Sequence, residues 1–330
     1  MEEGFRLWAN PSSPHAEGRK ARSLLEDARE QIKAALGWDG EVIFTSGASE
    51  AAQLALGYAQ APVTYVSAVE HDALTSDMVD FNLPVRRTGA IDQTMLVTAL
   101  WESRTLVCIQ HVNSETGNRQ NLQLTADVVH KQEGLFLVDC AQSAGKFELS
   151  DTSDMAILSA HKFGGPIGVG ALLVKDYAML SPMGGQERGY RRGTENLPGA
   201  LGMAAALDAC ADPYVASEVL EPLDKLATEC RSLGGTWLSD RLSDPTPYIR
   251  AIAMPNMSAT AQVMRFDMAG ISVSQGSACS SGTMKTSRVL QAMQVEPDIA
   301  ANTIRVSVGW NTTRAEVERF CEVWLDLARR

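Results

Sequence analysis

The chain has 330 residues, 45% of them hydrophobic, with 29 basic and 40 acidic residues for a net charge of −11. That length suits two coupled domains better than one small core. The acidic balance excludes nonspecific nucleic-acid binding, and no apolar run reaches transmembrane length, so a soluble protein is expected.

In chain order, apolar residues recur at helical spacing from Gly18 to Gly37 (Ala21, Leu24, Leu25, Ala28, Ile32, Leu36), and Gly37 stands where a helix would stop. Short β-branched runs follow, separated by helical patterns: 42–44, 63–66, 106–109, 135–138, 155–158 and 169–174. Buried strands alternating with helices predict an α/β domain with a mostly parallel sheet. After about Leu201 the pattern becomes helical, with strand-like stretches from Tyr248 to Ala253 and from Thr303 to Val308. We expect a large α/β domain over 10–205 and a smaller α+β domain over 206–330, with residues 1–9 packing on the latter. The start, Met1-Glu2-Glu3-Gly4, lacks the basic region and apolar core of a signal peptide. Six scattered cysteines (108, 140, 210, 230, 279, 321) form no Cys-x-x-Cys pair. Neither a disulfide framework nor a metal site is expected, and a reducing cytoplasm fits.

Several segments carry chemistry. Ser159-Ala160-His161-Lys162 presents a lysine directly after the apolar run 155–158. Burying an ammonium without a partner is costly, and the chemistry that wants such a lysine is a Schiff base to an aldehyde cofactor such as pyridoxal phosphate (PLP). Thr45-Ser46-Gly47-Ala48-Ser49-Glu50 joins a strand to a helical pattern. Small residues there let backbone N–H groups and a hydroxyl approach a phosphate; an ordinary capped turn is the alternative. Asp139 ends a very apolar strand, where α/β sheets bind ligands, and could pair with a protonated pyridine nitrogen or simply cap the next turn.

His71 and the His111-Val112-Asn113 stretch also follow strand-like runs. An imidazole stacked on a cofactor ring could shuttle protons, and Asn113 could hold its phenolic oxygen; a structural histidine is the plainer reading. Arg305, inside a strand-like run, suits either a grip on a carboxylate or a structural ion pair. Arg188, Arg191 and Arg192 form a basic cluster suited to a phosphate or a subunit contact. Cys279 lies in a loop of small and polar residues, Ser274 to Gly282. Access and thiolate character make such a cysteine a candidate nucleophile, whereas the other five read as packing.

Taken together, these segments resemble the cysteine desulfurases of the NifS/IscS-like group within the class V aminotransferases. The resemblance spans about Asn10 to Thr313 and also includes Asn10-Pro11-Ser12-Ser13-Pro14-His15, Gly184-Gly185-Gln186-Glu187-Arg188 and Gly193-Thr194-Glu195-Asn196. It implies the PLP-dependent transferase fold type I, with a seven-stranded-type sheet. It further implies that Lys162 binds the cofactor's aldehyde, Asp139 its pyridine nitrogen, and Gln142 and Asn113 its phenolic oxygen, while His71 stacks on the ring. Ser49, Ser159 and His161 would hold the phosphate, with Thr194 arriving from the other subunit of a homodimer, and Ala48 would be a further cofactor-binding residue. Asn113 and Arg305 would bind substrate, and Cys279 would take sulfur from L-cysteine, leaving L-alanine and a persulfide for an acceptor such as an iron–sulfur scaffold protein.

Some positions depart from the family pattern. No Asp-x-Ala-Thr-Thr segment precedes Asn10; Ser49 replaces a threonine; Ala52 and Ser114 replace asparagines; Ile167 replaces a lysine and Trp310 an arginine. These set the alternatives: a catalytically impaired PLP-binding scaffold, or a selenocysteine lyase or aminotransferase of the same fold.

Overall fold

A computed structural model describes residues 1–7, 9–100, 104–210, 212–276 and 287–329. The chain forms two compact units. The first comprises Met1–Leu83, Gln93–His111 and Asn121–Ala211; the second comprises Pro84–Asp92, Val112–Gln120 and Asp212–Arg330.

In the first unit the strands are β1 (Glu41–Thr45), β2 (Val63–Ser67), β3 (Phe81–Leu83), β4 (Thr105–Gln110), β5 (Leu135–Asp139), β6 (Met155–Ser159) and β7 (Gly170–Val174). They form one sheet in the order β1-β7-β6-β5-β4-β2-β3. Pairing is parallel from β3 through β6, while β7 runs antiparallel to both of its neighbours, β1 and β6. The centre of the sheet is covered on both faces, so β4 to β7 are buried at every position. This is why those strands read as continuous apolar runs rather than alternating ones.

The helices of this unit are α1 (Glu2–Leu7), α2 (Ala16–Leu36), α3 (Ala48–Tyr58), α4 (Gln93–Ala99), α5 (Leu122–Lys131) and α6 (Leu197–Asp208). The expected first helix is α2, buried along Ala21, Leu25, Ala28 and Ile32 and closed by Gly37. It packs on α6. The opening residues were expected against the second domain, but α1 packs on α6, where Gly4 lies against Pro198. The short polar helix gave no periodicity from which its partner could be read.

The second unit holds α7 (Ser217–Ser232), α8 (Ala259–Met268), α9 (Arg288–Ala292), α10 (Pro297–Ala301) and α11 (Arg314–Ala328), with β8 (Thr236–Trp237), β9 (Ile249–Ala253) and β10 (Thr303–Ser307). Its antiparallel sheet has the order β10-β9-β8. The earlier segment 112–120 joins this unit through polar bonds: Ser243 Oγ and the Asp244 N–H both donate to Asn118 Oδ1, at 3.0 and 3.2 Å. Arg119 pairs with Asp244 at 2.7 Å. Among the described residues, no helix is long and apolar enough to cross a membrane.

Candidate active site

Within the first unit, β1, β5 and β6 share one direction, so their C-terminal ends meet along one edge of the sheet. Ligands bind at that edge in α/β sheets. Gly170 pairs with both Thr45 and Ser159 across it. A Cβ at Gly170 would sit 2.8 Å from Gly47 Cα, so a side chain there would push apart the two turns that follow β1 and β6.

One turn begins α3 with Ala48 and Ser49. Its N-cap, Gly47, makes no side-chain cap hydrogen bond, and the space over it is open. The first N–H groups of an 11-residue helix are thus left for an anion. Glu50 is turned aside: it accepts from the Ser46 N–H and pairs with Arg191 at 2.9 Å. The other turn carries Ser159, buried, whose Oγ lies 3.1 Å from His161 Nδ1. Burial, followed by the Lys162 charge, lowers the His161 pKa and favours the neutral ring. His161 and Lys162 are exposed side chains on a 3-10 turn. Two glycine-adjacent turns offering N–H, hydroxyl and imidazole groups fit a phosphate.

Asp139 ends β5 almost fully buried. Its Oδ1 accepts the Ala141 N–H at 2.8 Å, and Oδ2 has no hydrogen-bond partner among the described residues. Burial raises its pKa, while the Ala141 bond and the charges of His71 and Lys162 act in the opposite sense. A buried carboxylate in this setting is stabilised by a cation, which fits a protonated pyridine ring. His71 is exposed and caps a 3-10 turn, Nδ1 accepting the Ala73 N–H at 3.1 Å. The half-buried Gln142 uses its Oε1 to accept from Lys146 Nζ at 3.4 Å. Thr194 is exposed, and its carbonyl and that of Gly193 accept from Arg191 Nη1.

The remaining expected residues belong to the second unit. Asn113 is buried, and its Oδ1 accepts from the Glu115 N–H, the Thr116 N–H and Thr116 Oγ1 at 3.0, 2.9 and 3.1 Å. With the oxygen committed, only the amide nitrogen can serve as a donor to a ligand. Arg305 lies on β10, its Nη1 donating to the Ser114 carbonyl at 3.0 Å. Burial lowers its pKa and the Glu115 charge opposes that. Cys279 lies outside the described residues. The five described cysteines are free thiols, and burial raises each pKa: Cys140 and Cys321 to about 12, Cys230 to about 11, Cys108 well above its usual value, and the half-buried Cys210 upward.

The expected basic cluster resolves into separate partnerships. Arg191 holds Glu50, Arg188 reaches Glu26 and Glu41, and Arg192 donates to the Met183 carbonyl. Two further residues escaped the sequence reading. Lys146 is pushed down to about 8, by burial and then by the Lys162 charge. Its place four residues after Gln142 was the only signal. The other is Glu115, two residues after Asn113.

The chain matches the family model described as "Aminotransferase class-V" over residues 2–320. It is similar to the "Cysteine desulfurase IscS 1" of Archaeoglobus fulgidus, 32% identical over 98% of this chain and 90% of that protein. It is also 35% identical to the "Cysteine desulfurase" of Enterobacter agglomerans, over 98% of this chain and 86% of that one. Among solved structures, a "NIFS-LIKE PROTEIN" superposes with a TM-score of 0.88 at 29% identity, covering 99% of this chain and 94% of that chain. One titled "SspA in complex with cysteine" superposes at 0.76 and 27% identity, covering 94% and 95%. The chain belongs to the class V aminotransferase family. Its fold is the type I fold of the NifS-like proteins.

Proposed function

We propose that this chain is a PLP-dependent cysteine desulfurase, converting L-cysteine to L-alanine and retaining the sulfur as a persulfide on Cys279. The observation that carries the reading is Asp139, an almost fully buried carboxylate whose Oδ1 is held by the Ala141 N–H, within electrostatic range of His71 and Lys162. Full-length similarity to proteins named cysteine desulfurases supports it and disfavours the scaffold, lyase and aminotransferase alternatives.

In this reading Ala48, Ser49, Ser159 and His161 hold the cofactor phosphate, with Thr194 of a second subunit. Asp139 holds its pyridine nitrogen, Asn113 and Gln142 its phenolic oxygen, and Lys162 its aldehyde carbon. His71 stacks on the ring. When bound, PLP supplies an electron sink for a negative charge at the substrate Cα.

The protein's own groups do the rest. Arg305 and Asn113 hold the substrate, Arg305 at its carboxylate. Once the substrate amine had taken its place at the cofactor, the released Lys162 Nζ would take the proton from Cα, and His71 would pass protons. The Cys279 thiolate attacks the substrate sulfur with its own electron pair, so an S–S bond forms as the Cβ–S bond breaks. The electron pair of the broken bond stays with carbon, which is protonated to the methyl group of alanine. A thiolate suits this step because it is a strong nucleophile near neutral pH.

A homodimer is supported by the exposure of Thr194 on its Arg191-braced loop. Free thiols at the five described cysteines fit a reducing cytoplasm, and in this reading an iron–sulfur scaffold is one class of sulfur acceptor. The test is to incubate the protein with L-cysteine, PLP and a reducing thiol. Equal amounts of alanine and sulfide are expected, and release of neither would end the proposal.

A further inference from the structure

Glu115 bonds to one end of the segment that contains Cys279 and lies hard against the other. Ser287 Oγ donates to Glu115 Oε2 at 2.5 Å, and the same hydroxyl accepts the Leu290 N–H at 3.1 Å as the cap of α9. Because the cap occupies a lone pair, the hydroxyl proton is directed to the carboxylate, and such charge-assisted bonds are among the stronger ones.

At the other end stands Gly276, with φ +75, a conformation that side chains disfavour. A Cβ built there would lie 2.8 Å from Glu115 Oε2 and 3.6 Å from Ser287 Cβ, so residues 276 and 287 are neighbours in space. The backbone that carries this carboxylate is itself held, because the Glu115 and Thr116 N–H groups both bond Asn113 Oδ1. The same turn reaches Arg305 through the Ser114 carbonyl, and Arg305 exchanges backbone bonds with Ser274 at 3.1 and 2.5 Å. Ser287, Gly276, Arg305 and Glu115 also line one cavity of about 160 Å³.

We propose that Glu115 is a positioning residue that pins together the two ends of the segment bearing Cys279, fixing the base from which the thiol is presented. The proposal rests on the desulfurase reading for its catalytic consequence but not for its structural one. Holding residues 276 and 287 side by side fixes where the intervening chain starts and ends, and misplacement of a reacting group is costly in rate.

The experiment uses the PLP-loaded protein and compares Glu115→Ala, Ser287→Ala and Glu115→Gln with wild type. Both alanine variants should keep the cofactor absorbance and the KM for cysteine, while kcat for alanine formation falls roughly tenfold to a hundredfold. Glu115→Gln should recover most of the rate, because its amide oxygen still accepts from Ser287. Lys285 lies within the segment, and limited trypsin digestion should cleave after it several-fold faster in both alanine variants but not in Glu115→Gln. Wild-type kcat and wild-type cleavage in Ser287→Ala would overturn the pin, even if Glu115→Ala fails to fold. A kcat loss that Glu115→Gln does not rescue would overturn it as well. If wild type makes no alanine, the desulfurase reading fails while the trypsin comparison still decides the pin.

Discussion

Arg29 on α2 and Glu187 form a buried ion pair at 2.8 Å, although 158 positions separate them in the chain. Glu187 also accepts the Phe44 N–H at 3.0 Å, and the Arg29 guanidinium lies 4.8 Å from the Phe44 ring centroid. One carboxylate thus ties a helix, the first strand and the loop that leads to Thr194. Glu187 and Arg188 both have positive φ, a strained backbone held by these contacts.

Removing one partner of such a pair leaves a buried charge uncompensated. Glu187→Ala should therefore lower stability by about 3–5 kcal/mol. Chemical denaturation followed by circular dichroism measures this; a midpoint unchanged from wild type would show that the pair is energetically idle.

The proposed cofactor site predicts a yellow protein with near-visible absorbance. Borohydride should fix the cofactor to the peptide containing Lys162, as read by mass spectrometry. Asp139→Asn should fold, since Oδ1 can still accept from Ala141, yet show a shifted absorbance and little conversion of cysteine. Attachment at another lysine would remove the proposed site.

Cys279→Ala should preserve the cofactor spectrum and lose sulfide release, because no proposed cofactor contact involves that thiol. Peptide mapping of wild type after cysteine treatment should find added sulfur on Cys279 and not on Cys108, Cys140, Cys230 or Cys321, whose raised pKa values disfavour the thiolate. Equal sulfide release from wild type and variant would assign the chemistry elsewhere.

Lys146 gives a pH prediction with a definite sign. Its folded pKa of about 8 lies below the usual 10.5, so the unfolded chain binds the extra proton between those values. Stability contributed by this site is therefore lowest below pH 8 and rises as pH climbs from 8 toward 10.5. Lys146→Met keeps the aliphatic stem and removes the titration. Its stability relative to wild type should be greatest at pH 7 and should shrink by pH 10; a difference independent of pH would contradict the burial argument.

The sequence by itself determined the elements whose signals are local. Uninterrupted apolar runs marked β4 to β7 because those strands are buried on both faces, and the spacing from Ala21 to Leu36 marked α2 because one stripe is buried. The turns holding Ala48 and Ser49, Asp139, and Ser159 to Lys162 were legible for the same reason: each is a short string placed directly after a strand. The two-residue β8 and three-residue β3 were too short to show a period. Only the tertiary structure decided that β7 runs antiparallel between β1 and β6, that α1 lies on α6, and that segments 84–92 and 112–120 join the later residues. It likewise decided that Arg29 meets Glu187, that Lys146 is depressed beside Lys162, and that Glu115 meets both Gly276 and Ser287. These are pairings between distant positions, and an ion pair or a shifted pKa depends on burial and on the charge opposite, neither of which is a property of neighbouring letters in a chain.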